Sequence, residues 1–218
     1  MLKRISFILA IFTVSVSAQA VSVDFTDSNW QSAIGSGNTS ATYGNVTLST
    51  SKSWHYLSFN DSRNEVNGCK AGSAIHDLAC VGDGIGIQKG SRNNDEISYG
   101  EQLLIEFAEA VDVTKIYLLD LFGAEKTGEK AVIINSNDVT KTVTGGNGVA
   151  GGFFSVEYTA VEGGGLTSIL LKGYRDCFSD FALAGLEIAP SPVPIPGAAI
   201  LFGSALLGFF GFKRRRTS

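Results

Sequence analysis

Between residues 21 and 188, apolar side chains recur at every second position in short runs, lapse over a long polar loop at 60–82, and never settle into a sustained period of three to four. Every second side chain of a strand faces the same way, so such a chain can bury one continuous face only as sheet. The alternating runs are short. They comprise Val21, Val23 and Phe25, then residues 41–49 and 54–59, Ile85 with Ile87, and Leu103, Ile105 and Phe107. Further runs occupy 115–122, 131–135, 139–144, 153–159, 166–173 and 181–188. Gly145-Gly146, Gly151-Gly152 and Gly163-Gly164-Gly165 punctuate the later ones. Short strands separated by turn chemistry predict an all-β fold, an antiparallel β-sandwich or jelly roll, with one short helix near residues 29–34. The densest run contains Ile116, Leu118, Leu119 and Leu121 and is apolar on both faces. It therefore predicts a strand inside its sheet and covered on both sides, with Asp120 as the polar interruption.

Both chain ends read differently from this middle. Lys3 and Arg4 precede an apolar segment at 5–16, and Ala18-Gln19-Ala20 closes it. Basic start, short apolar core and small residues at Ala18 and Ala20 predict a secretory signal peptide over residues 1–20. At the other end Val193-Pro194-Ile195-Pro196 precedes an uncharged apolar run, 197–212, and then Lys213, Arg214, Arg215 and Arg216. The run would make about 24 Å of helix at ~1.5 Å per residue, short of the roughly 30 Å hydrocarbon core. The four basic residues predict a stop-transfer signal that stays cytoplasmic. The expected organisation is thus a signal peptide (1–20), a sandwich ectodomain (21–188), a Pro-rich spacer with a sorting motif (189–196), a transmembrane helix (197–212) and a basic tail (213–218).

Pro-rich motif, short apolar helix and Arg-rich end, in that order, resemble the PEP-CTERM class of bacterial sorting signal. Val193, Pro194, Ile195 and Pro196, followed by Gly197 and by Ile200 to Ser204, are similar to its VPxP-type variant. The resemblance implies processing by an exosortase, a membrane enzyme of Gram-negative bacteria that make exopolysaccharide. It also implies an inner-membrane intermediate, then placement on the cell surface or in the extracellular matrix. More loosely, Gly84-Ile85-Gly86-Ile87, Asn94-Asp95-Glu96-Ile97, Glu101-Gln102-Leu103 and Asp180 to Leu186 resemble ectodomains that travel with this tail. Such domains are β-sandwiches generally without an assigned activity.

Charge narrows the partners. The chain has 17 Lys+Arg against 21 Asp+Glu. Setting aside Lys3, Arg4 and the four basic residues at 213–216 leaves 11 basic against 21 acidic residues in the ectodomain. A net charge near −10 disfavours nucleic acid and anionic lipid, which need a basic face. Three cysteines accompany an expected oxidising compartment. Cys69 and Cys80 lie close together in an irregular stretch and are expected to pair, while Cys177 is free, intermolecular or the partner of one of the others.

Catalytic signatures are weak. Residues 146–151 match GxGxxG, but a strand-like run follows instead of a helix, so a hairpin turn is expected. Residues 123–130 have the outline of a phosphate loop with Glu129 where lysine is needed. His55 sits between Trp54 and Tyr56 and is expected to pack, and His76-Asp77 lies beside the cysteines. Asp83, Glu96, Glu101 and Glu106 are the clustered carboxylates that a glycosidase could draw on. Asp83 with Asn94, Asp95 and Glu96 would supply hard oxygens for calcium; no other cofactor is implied. Trp30, Trp54, Tyr56, Tyr99 and Tyr174 could stack on sugar rings, as in a carbohydrate-binding module. The expected function is a non-enzymatic surface or matrix protein, with exopolysaccharide binding as the alternative and a glycan hydrolase behind it.

Overall fold

Leu103, Ile105 and Phe107 all face inward from one long strand while Glu106 faces solvent, and this alternation repeats through the chain. The computed structural model describes residues 21–59, 69, 78–89, 96–124, 128–147, 149–175 and 179–189. Its strands are β1 (Val21–Asp24), β2 (Ser40–Tyr43), β3 (Val46–Thr50), β4 (His55–Phe59), β5 (Ile85–Lys89) and β6 (Gln102–Val111). They continue with β7 (Val113–Leu119), β8 (Lys130–Asn135), β9 (Thr140–Thr144), β10 (Phe154–Glu157), β11 (Leu166–Gly173) and β12 (Ala182–Ile188). Two short α-helices, α1 (Ser28–Ile34) and α2 (Ala160–Gly163), and a 3-10 turn at Ala150–Gly152 are also described. The signal peptide, the Val193-Pro194-Ile195-Pro196 motif, the apolar run and the basic tail lie outside the described residues. Among the described residues no helix is long and apolar enough to cross a membrane.

The strands form two antiparallel sheets. One has the order β10-β7-β12-β5-β4, with β1 also on β12, and the other β2-β3-β6-β11-β8-β9. Their inner faces share one core, in which Leu57, Ile87, Ile116, Leu118 and Leu183 of the first meet Leu48, Ile105, Ile133, Ile169 and Leu171 of the second. The fold is therefore an all-β sandwich. β7 lies between β10 and β12, so the expectation of an internal strand is met.

The two-sided apolarity of β7 also has its cause. Ile116 and Leu118 enter the main core, whereas Leu119 turns outward into a second cluster with Ala182, Ala184, Cys69 and Cys80. Leu78, Tyr117 and Phe153 pack on that cluster. Cys69, Leu78 and Cys80 thus form a roof over this part of the outer face of the first sheet. Cys69 and Cys80 are disulfide-bonded, with Cα atoms 5.4 Å apart, and the buried Asp83 accepts the Cys69 N–H at 2.6 Å. Asp120 ends β7 with φ +57°, which takes its side chain out of the strand pattern.

Helix α1 closes one side of the sandwich. Asp27 caps it by accepting the Asn29 N–H at 2.7 Å, satisfying a donor that the first turn leaves open. Trp30 and Ile34 are its buried face, and the Trp30 ring lies 5.0 Å from Phe25. Helix α2 was not expected. Its signal was present, however: Thr159 and Glu162 form a capping box, each side chain meeting the other's backbone N–H.

The sheet register gives the sandwich two distinct ends. Val21 pairs with Ile188, and the Ala189 N–H is held by the Asp112 carbonyl at 2.7 Å. Both chain ends of the sandwich therefore meet at one end, called proximal here. β12 runs from there to Ala182, which pairs with Leu119. The end of β7, the starts of β4 and β6 and the Lys89 end of β5 define the opposite, distal end.

Candidate functional site

The distal end gathers exposed aromatics. Trp54 is 56% exposed, Tyr99 53% and Tyr174 36%, whereas Trp30, another stacking candidate from the sequence, is core. Short steps link the three rings. The Lys52 ammonium stands 5.8 Å from the Trp54 ring centroid and donates to the Gly100 carbonyl at 3.4 Å. Tyr99, next in sequence to Gly100, bridges to Gly173, and Tyr174 follows. Lys130 then places its ammonium 5.0 Å from the Tyr174 ring. Tyr56, the fifth candidate, is half-buried on β4.

His55 lies directly inside this rim. It is 1% exposed, its ring meets that of Trp54 edge-on at 6.0 Å, and neither ring nitrogen has a hydrogen-bond partner. Burial lowers its pKa from the ordinary value; Glu101 opposes the shift, and Lys52 and Lys89 reinforce it. The sign follows. Below its usual pKa the unfolded chain takes up a proton that the folded chain resists, so stability present above about pH 6.5 is lost as pH falls. Urea midpoints should therefore drop between pH 7.5 and 5.5, and His55→Gln should flatten that dependence. An unchanged slope in the variant would remove His55 as its source.

The other chemical candidates do not converge. Asp83 lies before β5, and Glu96 sits beside Ile87, whose N–H its carbonyl accepts. Their backbones are thus separated by about four strand residues, roughly 13 Å at ~3.3 Å per residue. Asn94 and Asp95 lie outside the described residues, as do His76, Asp77 and Cys177. Among the described residues no group of three or more His, Cys, Asp or Glu could hold a metal ion. Glu101 is buried and accepts the Ser98 N–H and hydroxyl, while Glu106 faces solvent in mid-strand.

The GxGxxG stretch is corrected in one respect. It is not a hairpin turn, because β9 and β10 edge different sheets. The segment crosses between the sheets and runs alongside the end of β7. Asp120 and Leu121 donate to the Gly151 and Gly152 carbonyls at 2.9 and 3.1 Å. Gly152 has φ +56°, and a Cβ there would collide with the Leu121 and Asp120 backbone. These glycines allow backbone to pack on backbone; a single 3-10 turn at Ala150–Gly152 and then β10 follow, where a phosphate site needs the N-terminus of an α-helix.

Comparison with known protein families, with curated proteins and with solved structures finds no match.

Proposed function

We propose that the chain is exported, loses residues 1–20, and is placed at the cell surface or in the extracellular matrix as a non-enzymatic sandwich. An exosortase-type enzyme would act on the tail at an inner-membrane stage, using Val193, Pro194, Ile195 and Pro196, with Lys213 to Arg216 holding the orientation. The observation that carries this reading is the Cys69–Cys80 bond. Such bonds persist in oxidising compartments and are rare in the cytosol of mesophiles, in keeping with the leader-like first residues. Intact-mass analysis of surface-exposed protein is the test. The mature chain should begin at Val21 and lack Lys213 to Ser218, and recovery of the full-length chain would overturn the processing scheme.

A second reading, carbohydrate binding, is favoured by one specific observation. A sugar-binding module should carry exposed aromatics along a face or a loop end, and Trp54, Tyr99 and Tyr174 stand together at the distal end. The hydrolase reading lacks support of this kind: Glu101 is engaged with the Ser98 N–H and hydroxyl, and Glu106 faces solvent in mid-strand. Calcium could still act through Asp83, Asn94, Asp95 and Glu96, and the binding assay below includes a chelator arm for it.

A further inference from the structure

Although the ectodomain is strongly acidic overall, the exposed charges among the described residues are segregated by sign. At the distal end Lys52 and Lys89 are exposed and Lys130 is half-buried, and among the described residues none of the three pairs with a carboxylate. Among the described residues the carboxylates of that end are turned inward or half-buried. Glu101 is 4% and Glu129 3% exposed, and they accept the Ser98 and Phe122 N–H groups. Glu96, Asp120 and Asp180 are half-buried. Of the exposed carboxylates among the described residues, Glu106 lies in mid-strand, and Glu109, Asp112, Asp138 and Glu157 lie towards the proximal end. There the lysines are neutralised, Lys115 by Glu187 at 3.3 Å and Lys141 by Glu162 at 3.1 Å.

We propose that the distal rim binds an acidic polysaccharide, with sugar rings lying on Trp54, Tyr99 and Tyr174 and uronate carboxylates meeting Lys52, Lys89 and Lys130. This deepens the carbohydrate reading by naming the ligand class. Two features of the rim select that class together. Flat exposed rings offer stacking surface that suits the apolar faces of pyranose rings. Unpaired ammonium groups beside each end of the aromatic row suit a ligand carrying charge at intervals, and a neutral glycan would leave them unused. Single-stranded nucleic acid also stacks on aromatics beside lysines. The domain's net charge opposes both polyanions alike, and the oligo-dT arm of the test separates them. The placement fits the same reading: the rim lies at the end of the sandwich opposite Val21 and Ile188, where both chain ends emerge.

The test is co-sedimentation of the full chain, in mild detergent, with cross-linked polygalacturonate, neutral dextran beads and immobilised oligo-dT, with and without chelator. Polygalacturonate should retain the protein, and raising salt from 50 to 500 mM should release it, because exposed charge pairs are screened. Trp54→Ala with Tyr99→Ala should weaken retention by about tenfold or more, as loss of aromatic anchors does. Lys52→Gln with Lys89→Gln should shrink the salt dependence. Tyr43→Ala, an exposed aromatic at the proximal end, should leave binding unchanged. All these side chains are exposed, and unchanged urea midpoints would show that the variants fold. Equal, salt-insensitive retention on dextran would overturn the acidic class while keeping the carbohydrate reading. Retention on oligo-dT alone, or on no matrix, would overturn both, and neither result bears on export.

Discussion

Leu118→Ala should lower the unfolding free energy by about 2–5 kcal/mol, the range for deleting a buried leucine whose surroundings cannot collapse. Leu118 is fully buried, and on either side of it in the sheet are Phe154 of β10 and Leu183 of β12. Above it the second sheet presents Ile105, Ile169 and Leu171 to the same core. Neighbours held by ladder hydrogen bonds on both edges cannot move in to fill a void, so the cost should fall in the upper half of that range. Val161→Ala is the comparison. Val161 is 88% exposed on α2, and removing its methyl groups should change stability by less than about 0.5 kcal/mol. Urea unfolding of the full chain, followed through buried Trp30, measures both. Equally mild effects would show that β7 is not internal and that the sheet order is different.

Removing the disulfide should cost nearly as much. Cys69 and Cys80 are 11 residues apart, and closing a loop of that length stabilises by roughly 3 kcal/mol in the chain-entropy account. The bond also fixes the roof over Leu119, Ala182 and Ala184. Without it that roof must stay in place through Leu78, the Asp83 bond to the Cys69 N–H and the Thr26 hydroxyl accepting the Cys80 N–H at 2.9 Å. Cys69→Ala/Cys80→Ala should therefore lower the urea midpoint, and dithiothreitol should lower the parent protein's midpoint by a similar amount. The double variant itself should not respond to dithiothreitol. A parent protein indifferent to reductant would mean that the roof stands on packing alone.

Strands such as β6 and β8 are legible in the sequence because they bury one face, and period two records that directly. Leu103, Ile105 and Phe107, or Ile133 on β8, needed no tertiary information to be placed. What periodicity cannot record is which sheet a strand joins. β6 and β7 are separated by Asp112 alone, yet they belong to opposite sheets. β9 and β10 are likewise divided, so the glycines between them were misread as a hairpin. The apolar outer face of β7 was visible through Leu119, but its cover, the cysteine-bearing stretch, has no periodicity to announce it. Among the stacking candidates, Trp30 could have been set aside, since with Ile34 at i+4 it forms the apolar stripe of a short helix capped by Asp27. Exposure at Trp54, Tyr99 and Tyr174 depended on where three separate loops meet, which only the sheet register decides. The inward turn of Glu101 and Glu129 was similarly hidden, because their partners are the N–H groups of Ser98 and Phe122.

The central claim is an exported sandwich whose outer face is sealed in an oxidising compartment. It is tested most directly by trapping thiols with iodoacetamide in intact native cells and mapping the cysteine peptides without reduction. The account predicts a Cys69–Cys80 linked peptide in the surface fraction, with Cys177 outside it. Cys69 and Cys80 recovered as separate alkylated peptides from protein in the cytosol would contradict both the compartment and the roof.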